Sequence, residues 1–271
     1  MTEFLSLEAL AARIPDGSLL AIPPDHVGVA MAATRALLRR GVRHLRLLTV
    51  PTSGLQADLL IGAGAVAEIE TAGVMLGEAG AAGRFTAAIK AGSIAIRDAT
   101  CPAIHAGLQA AEKGIPFMPL RGILGSDLIG RRPDWRTIDN PYGPSPGNNA
   151  DPLLLLPALK PDIALFHAPL ADRAGNVWIG RRRELATMAH AARMTLVTVE
   201  RIQEQDLFAR EASAAGSLSS LYVSAVAEAP KGAWPLGLAE HYAPDDVHLT
   251  DYAAAAGGET GFRDYLARHV L

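Results

Sequence analysis

A chain of 271 residues with 49% hydrophobic and 20% charged side chains holds ample apolar material for a core, which excludes a disordered chain. A formal net charge of -3 leaves no general basic field for nucleic acid or anionic lipid. The single cysteine, Cys101, excludes an internal disulfide, and Met1-Thr2-Glu3-Phe4 lacks the basic start and apolar run of an export signal; both features predict a protein of the reducing cytoplasm with no membrane segment.

In chain order, Leu5 to Ile14 carries apolar residues near helical spacing behind Ser6, a fitting N-cap. Pro15-Asp16-Gly17 predicts a turn, Ser18 to Ile22 a buried strand, Pro23 to His26 a loop, Gly28 to Arg40 a helix closed by Gly41, and Leu45 to Val50 a strand. Strand, helix, strand is the unit of a parallel sheet with right-handed crossovers. The pattern repeats. Leu55 to Ile61 reads as a helix, Val66 to Glu70 as a strand, Phe85 to Ala91 as a helix and Ile94 to Arg97 as a strand. Pro102 to Lys113 follows as a helix with proline at its first position and Gly114 beyond its end, then Phe117 to Leu120 as a strand. Arg121 to Pro152 is rich in Gly, Pro, Asn and Asp without a period, and a loop that long in a compact domain is usually functional. Beyond it, Ile163 to Ala168, Val177 to Ile179, Thr195 to Val199 and Tyr222 to Glu228 read as strands, and Glu184 to Ala192 and Phe262 to Leu271 as helices. The expected fold is α/β in one domain over residues 1–271: an open, mostly parallel sheet with helices on both faces, interrupted by an irregular segment at about 121–152.

Several motifs bear on chemistry. Gly62-Ala63-Gly64-Ala65-Val66-Ala67 fits the loose dinucleotide pattern, but the run behind it is too short for the helix that would hold a pyrophosphate, so it reads as a turn. His241, Asp245, Asp246, His248 and Asp251 match no standard metal spacing and read as a solvated turn; no metal site is expected. Ser53-Gly54 follows a strand and opens a helix, where hydroxyl and amide donors either hold an anion or simply cap the helix. Cys101 precedes Pro102 at a helix start. That field favours a thiolate, while free cysteines are more often buried packing residues.

Three stretches taken together resemble a known family. Thr52-Ser53-Gly54-Leu55-Gln56-Ala57-Asp58 through Gly64 resembles a segment of glutaconate CoA-transferase α subunits. Gly114-Ile115-Pro116-Phe117-Met118-Pro119-Leu120-Arg121, with Leu124-Gly125-Ser126-Asp127, resembles the next signature, and Asp172-Arg173-Ala174-Gly175-Asn176-Val177 the later turn. The order fits class I CoA-transferase α subunits from about Gly17 to Glu228. The tail with Glu228-Ala229-Pro230-Lys231-Gly232 also resembles the α subunit of the CoA-dependent ring-opening hydrolase of steroid degradation.

The resemblance implies a CoA-transferase-like (NagB-like) fold and an acyl-CoA and a carboxylic acid as substrates. It implies no bound cofactor, and a β-type partner that supplies a nucleophilic glutamate. Together with the position of these loops after predicted strands, where open α/β sheets bind ligands, it puts Pro24, Asp25 and His26, then Ser53, Gly54, Arg121, Gly125, Ser126, Asp127 and Asn176, at the substrate, with Cys101 as the candidate catalytic side chain. Two positions depart from the family pattern. Its glycine-rich first loop is here Ile22-Pro23-Pro24-Asp25-His26-Val27-Gly28, whose prolines remove backbone donors. Cys101 stands where relatives carry glutamine or glutamate, and a thiol matches neither group's proton chemistry. The alternatives are part of a thioester or carbon–carbon hydrolase, and a non-catalytic ligand-binding or stabilising chain.

Overall fold

The computed structural model describes residues 1–143 and 151–271. The chain opens with β1 (Glu3–Leu5) and α1 (Leu7–Ala12), and the Ser6 hydroxyl accepts the Ala9 N–H at 3.1 Å as the cap of α1. Four strand–helix units follow: β2 (Leu19–Ile22) with α2 (Met31–Arg40), β3 (Leu45–Thr49) with α3 (Leu55–Gly62), β4 (Val66–Thr71) with α4 (Gly83–Ala91), and β5 (Ala95–Asp98) with α5 (Cys101–Glu112). The stop signals act as their chemistry predicts. Helix α2 ends where Gly41 turns left-handed at φ 77°, behind Arg39 and Arg40 in the negative last turn. Thr100 caps α5 by accepting the Ala103 N–H at 3.3 Å, with Pro102 in the first turn, where a missing N–H costs nothing.

The later elements are β6 (Phe117–Leu120), α6 (Leu128–Arg131), β7 (Arg136–Asp139), β8 (Pro152–Pro157), β9 (Ile163–Asp172), β10 (Val177–Trp178), α7 (Arg183–Ala191), β11 (Met194–Gln203), α8 (Glu211–Ala214), β12 (Ser217–Leu218), β13 (Ala225–Glu228), α9 (Asp246–Ala256) and α10 (Glu259–His269). The main sheet runs β1-β13-β11-β9-β2-β3-β4-β5, all pairs parallel, with β10 added antiparallel to β9 and β12 antiparallel to β10. Alternation along the central strands feeds two cores. Leu20 and Ile22 of β2 and Ile163 and Leu165 of β9 face one core with α1, α2, α3, α9 and α10. Ala21, Ala164 and Phe166 face the other with α5 and α7. Helices therefore cover both faces, as expected.

Two expectations are corrected. Strand β6 leaves the parallel sheet and joins β8 and β7 in a separate antiparallel sheet of three strands. The stretch from Arg121, which shows no period, supplies α6, Trp135 and β7 to that lobe, whose core of Ile123, Trp135, Leu154 and Leu156 packs on Ala103 and Ala106 of α5. Residues 144–150 of that stretch lie outside the described residues. A buried Arg132 ties the lobe to the main sheet: its guanidinium donates to Glu70 at 2.7 Å and Asp134 at 2.9 Å and stacks 4.4 Å over Trp135. The polar group at His241 to Asp251 is not only a solvated turn. Asp245 accepts the His248 N–H at 3.0 Å and starts α9.

Candidate active site

Parallel strands deliver their following loops to one edge of the sheet, where α/β proteins hold ligands. Here the loops after β2, β3 and β4 bring Pro24, Asp25, His26, Thr52, Ser53 and Met75 together at that edge, opposite the segment Leu236–Thr250. Between them lies a cleft of about 1200 Å³.

Its floor is built around the start of α3. Asp25 Oδ2 accepts the Leu55 N–H at 3.0 Å, so the cap of α3 comes from thirty residues upstream. The residue between them has to be glycine: a Cβ on Gly54 would stand 2.2 Å from Asp25 Oδ2 and 2.4 Å from the Met75 carbonyl oxygen. Burial raises the Asp25 carboxyl to about 6 from its ordinary 3.8, against the lowering effect of the Leu55 and Gly54 amides and with some help from the Asp58 charge. Asp25 Oδ1 and Ser53 Oγ are buried without a protein partner, and Ser53 is only 4% exposed.

The opposite wall is held by a polar network that the sequence did not single out. His167 on β9 meets Thr198 Oγ1 at 2.8 Å and Glu200 Oε1 at 2.7 Å, both on neighbouring β11. Glu200 also accepts the Lys231 N–H at 2.7 Å and the Tyr242 hydroxyl at 2.8 Å, and Tyr242 lines the cleft. Burial alone would raise Glu200; the bonds from His167, Lys231 and Tyr242 outweigh it and bring the carboxyl down to about 2. Burial lowers His167, with Glu200 opposing. A histidine inside the apolar run Ile163 to Leu170, with a glutamate ending the run Thr195 to Glu200, was the available signal; their pairing depends on the parallel register, which sets His167 beside Thr198.

The remaining candidates are distributed differently. Pro24, Asp25, His26 and Ser53 line the cleft, and Gly54 supports it. Ser53 is not the helix cap; Asp25 takes that task. Cys101 sits at the same edge of the sheet, on the first turn of α5, but is not among the cleft-lining residues. It is exposed, which overturns the buried packing alternative. Arg121, Gly125, Ser126 and Asp127 belong to the lobe rather than the cleft. Arg121 pairs with Asp151 (Nε to Oδ1 3.0 Å), Gly125 takes φ 82°, the Ser126 hydroxyl accepts the Leu128 N–H, and Asp127 precedes α6. Asn176 serves the turn: its amide donates to Asp172 at 2.8 Å and accepts the Ser220 N–H at 2.9 Å, which leaves it spent on scaffolding. The Gly62–Ala67 stretch is the expected turn, with Gly64 at φ 70° between α3 and β4. Among the described residues no cluster could hold a metal ion, and no helix is long and apolar enough to cross a membrane.

A doubly covered parallel sheet, a cleft at its carboxyl edge and an antiparallel lobe on α5 define an α/β protein built to present a ligand site at that edge. The sequence matches the coenzyme A transferase family over residues 4–228, and the chain belongs to that family as an α-type chain. It is 32% identical to the cholesterol ring-cleaving hydrolase IpdA subunit of Rhodococcus jostii (89% of this chain, 82% of the relative). It is 31% identical to one of the subunits of 3-oxoadipate CoA-transferase from Pseudomonas knackmussii (100% and 94%). A longer, uncharacterised protein of Archaeoglobus fulgidus is 31% identical over 97% of this chain, which spans only 58% of that relative's length. Among solved structures, glutaconate coenzyme A-transferase of Acidaminococcus fermentans superposes with a TM-score of 0.89 at 26% identity (99% of this chain, 89% of that one). The decarboxylase AibA/AibB superposes at 0.82 and 28% identity (98% and 99%).

Proposed function

We propose that this chain is the α subunit of a cytoplasmic enzyme that moves CoA between an acyl-CoA and a free carboxylic acid, completed by a β-type chain. The observation that carries the reading is a likeness that runs over nearly the whole chain, in sequence to a 3-oxoadipate CoA-transferase chain and in fold to a glutaconate transferase. In the reaction implied by that likeness, a glutamate of the partner attacks the thioester carbonyl and CoA thiolate leaves, giving an acyl-glutamyl anhydride. The thiolate then attacks the glutamyl carbonyl and releases the acid. The incoming carboxylate attacks the glutamyl thioester and expels CoA thiolate, giving a second acyl-glutamyl anhydride, and that thiolate attacks its acyl carbonyl, forming the new thioester and freeing the glutamate. This chain would shape the acyl pocket through Asp25, His26 and Ser53, with Cys101 and the lobe residues Arg121, Ser126 and Asp127 facing the reaction from across the assembled site.

The test is to purify the chain with and without a β-type partner and follow CoA exchange between acetyl-CoA and a panel of acids. Exchange only in the assembled pair is the expected result; robust exchange by this chain alone defeats the reading. The 32% identity to a ring-cleaving hydrolase chain favours a second reading, in which the assembly consumes a thioester or a carbon–carbon bond with water. That reading predicts turnover without any acid acceptor.

A further inference from the structure

The cleft has an uneven charge. Asp25 lies on its floor, and Glu78, Glu240 and Asp246 stand around it with two histidines, His26 and His241, while among the described residues no lysine or arginine lines it. Arg181 reaches Glu240 only at 3.9 Å, with both side chains largely in water, so it does little to offset the acidic lining. The rest of the wall is mostly apolar or neutral, with Pro24, Met75, Leu76, Leu236, Tyr242 and Leu249. Ser53, which lines the cleft, has a buried Oγ without a protein partner, as has Asp25 at Oδ1, so the floor keeps unspent hydrogen-bonding capacity.

We propose that this cleft takes the acyl end of the thioester and that the acyl group it accepts carries no second carboxylate. The inference rests on the transferase reading above and deepens it. A carboxylate brought to this floor meets like charge in a space that a partner chain would close further to water, where charges act more strongly. The phosphates of CoA are excluded from it for the same reason. An alkyl chain matches the apolar wall, and an uncharged polar group can meet Ser53. Glutaconate and 3-oxoadipate, for which two relatives are named, are both dicarboxylic acids, and among the described residues this cleft offers a distal carboxylate no lysine or arginine to pair with.

The assembled enzyme is assayed with acetyl-CoA as donor and two acids of equal length, valerate and glutarate, as acceptors. Valerate should have the higher kcat/KM by about tenfold or more, the effect of one unfavourable charge contact. Asp25→Asn and Glu78→Gln should each narrow that ratio. Glutarate used as well as valerate, or a ratio that neither substitution moves, overturns the proposal. If CoA moves to no acid, the transferase reading fails, and the proposal is then decided by titrating the same complex with valeryl-CoA and glutaryl-CoA. Tighter binding of valeryl-CoA supports it; equal binding, tighter binding of glutaryl-CoA or binding of neither overturns it.

Discussion

Replacing Asp25 by asparagine separates its capping role from its charge. The amide oxygen can still accept the Leu55 N–H, so the start of α3 keeps its partner. What disappears is an enclosed carboxylate. Its pKa rises from 3.8 to about 6, and two units correspond to about 3 kcal/mol of stability forfeited by the wild type once the group is ionised. The sign follows from the direction of the shift. A raised carboxyl favours the folded state fully below pH 3.8, and that contribution is lost as pH rises through 6. The asparagine NH2 replaces an oxygen with no protein partner, which costs roughly 1 kcal/mol. Asp25→Asn should therefore be about 2 kcal/mol more stable than wild type above pH 6, a rise in Tm of roughly 4–8 °C for a chain of this size, with the advantage disappearing near pH 4. Urea unfolding and thermal melts of both proteins at pH 4, 5, 6 and 7.5 measure it. A difference that is the same at pH 4 and pH 7.5, or a wild type that is the more stable at pH 7.5, would refute the argument that burial dominates this carboxyl.

Gly54→Ala should destabilise by more than about 2 kcal/mol, because its Cβ enters the space of Asp25 Oδ2 and the Met75 carbonyl; a chemical denaturation curve matching wild type would show that the loop yields. Glu200→Gln should cost about 1–3 kcal/mol at pH 7. Because the folded carboxyl is depressed to about 2, the contribution is present above pH 4.5 and lost as pH falls toward 2, so the two acid-unfolding curves should converge. Cys101, being exposed, should be alkylated in the folded chain, and acyl-CoA should protect it in the assembled complex; full reactivity with ligand, together with full activity of Cys101→Ser, would remove it from the site. Ser126→Ala with Asp127→Ala should lower turnover of the assembled enzyme while unfolding stays cooperative, and unchanged kinetics would leave the lobe with a purely structural role.

What was legible in the sequence was local. Gly41, Gly114 and Pro102 bound α2 and α5 because turn and cap chemistry acts within a few residues. The longer strands of the main sheet were legible as apolar runs, and their parallel order as alternation with helices; the short β1 and β12, three and two residues long, carry no such run. The lobe was not. Phe117 to Leu120 reads like another central strand until Leu154 and Leu156, more than thirty residues on, provide an antiparallel neighbour. The site was half legible for the same reason. Asp25 and Ser53 stand out as loop residues after strands, but that one caps the helix beside the other follows only from β2 lying next to β3. His167, Glu200 and Tyr242 come from three separate stretches and meet only in the folded chain.

The sheet order also sets a timetable for synthesis. Strands β2 to β5 and their helices are local units that can form as soon as they emerge, but Leu20 of β2 pairs on its other side with Ile163 of β9, roughly 140 residues later. At about 5–20 residues per second the open backbone edge of β2 waits roughly 7–28 seconds for its neighbour. The first strand waits longer still, since Glu3 to Leu5 find their place only beside Ala225 to Ala227. A nascent chain of this protein thus carries an unpaired apolar strand edge for most of its translation, and slowing the ribosome between β5 and β9 should raise its demand for chaperones rather than help it fold.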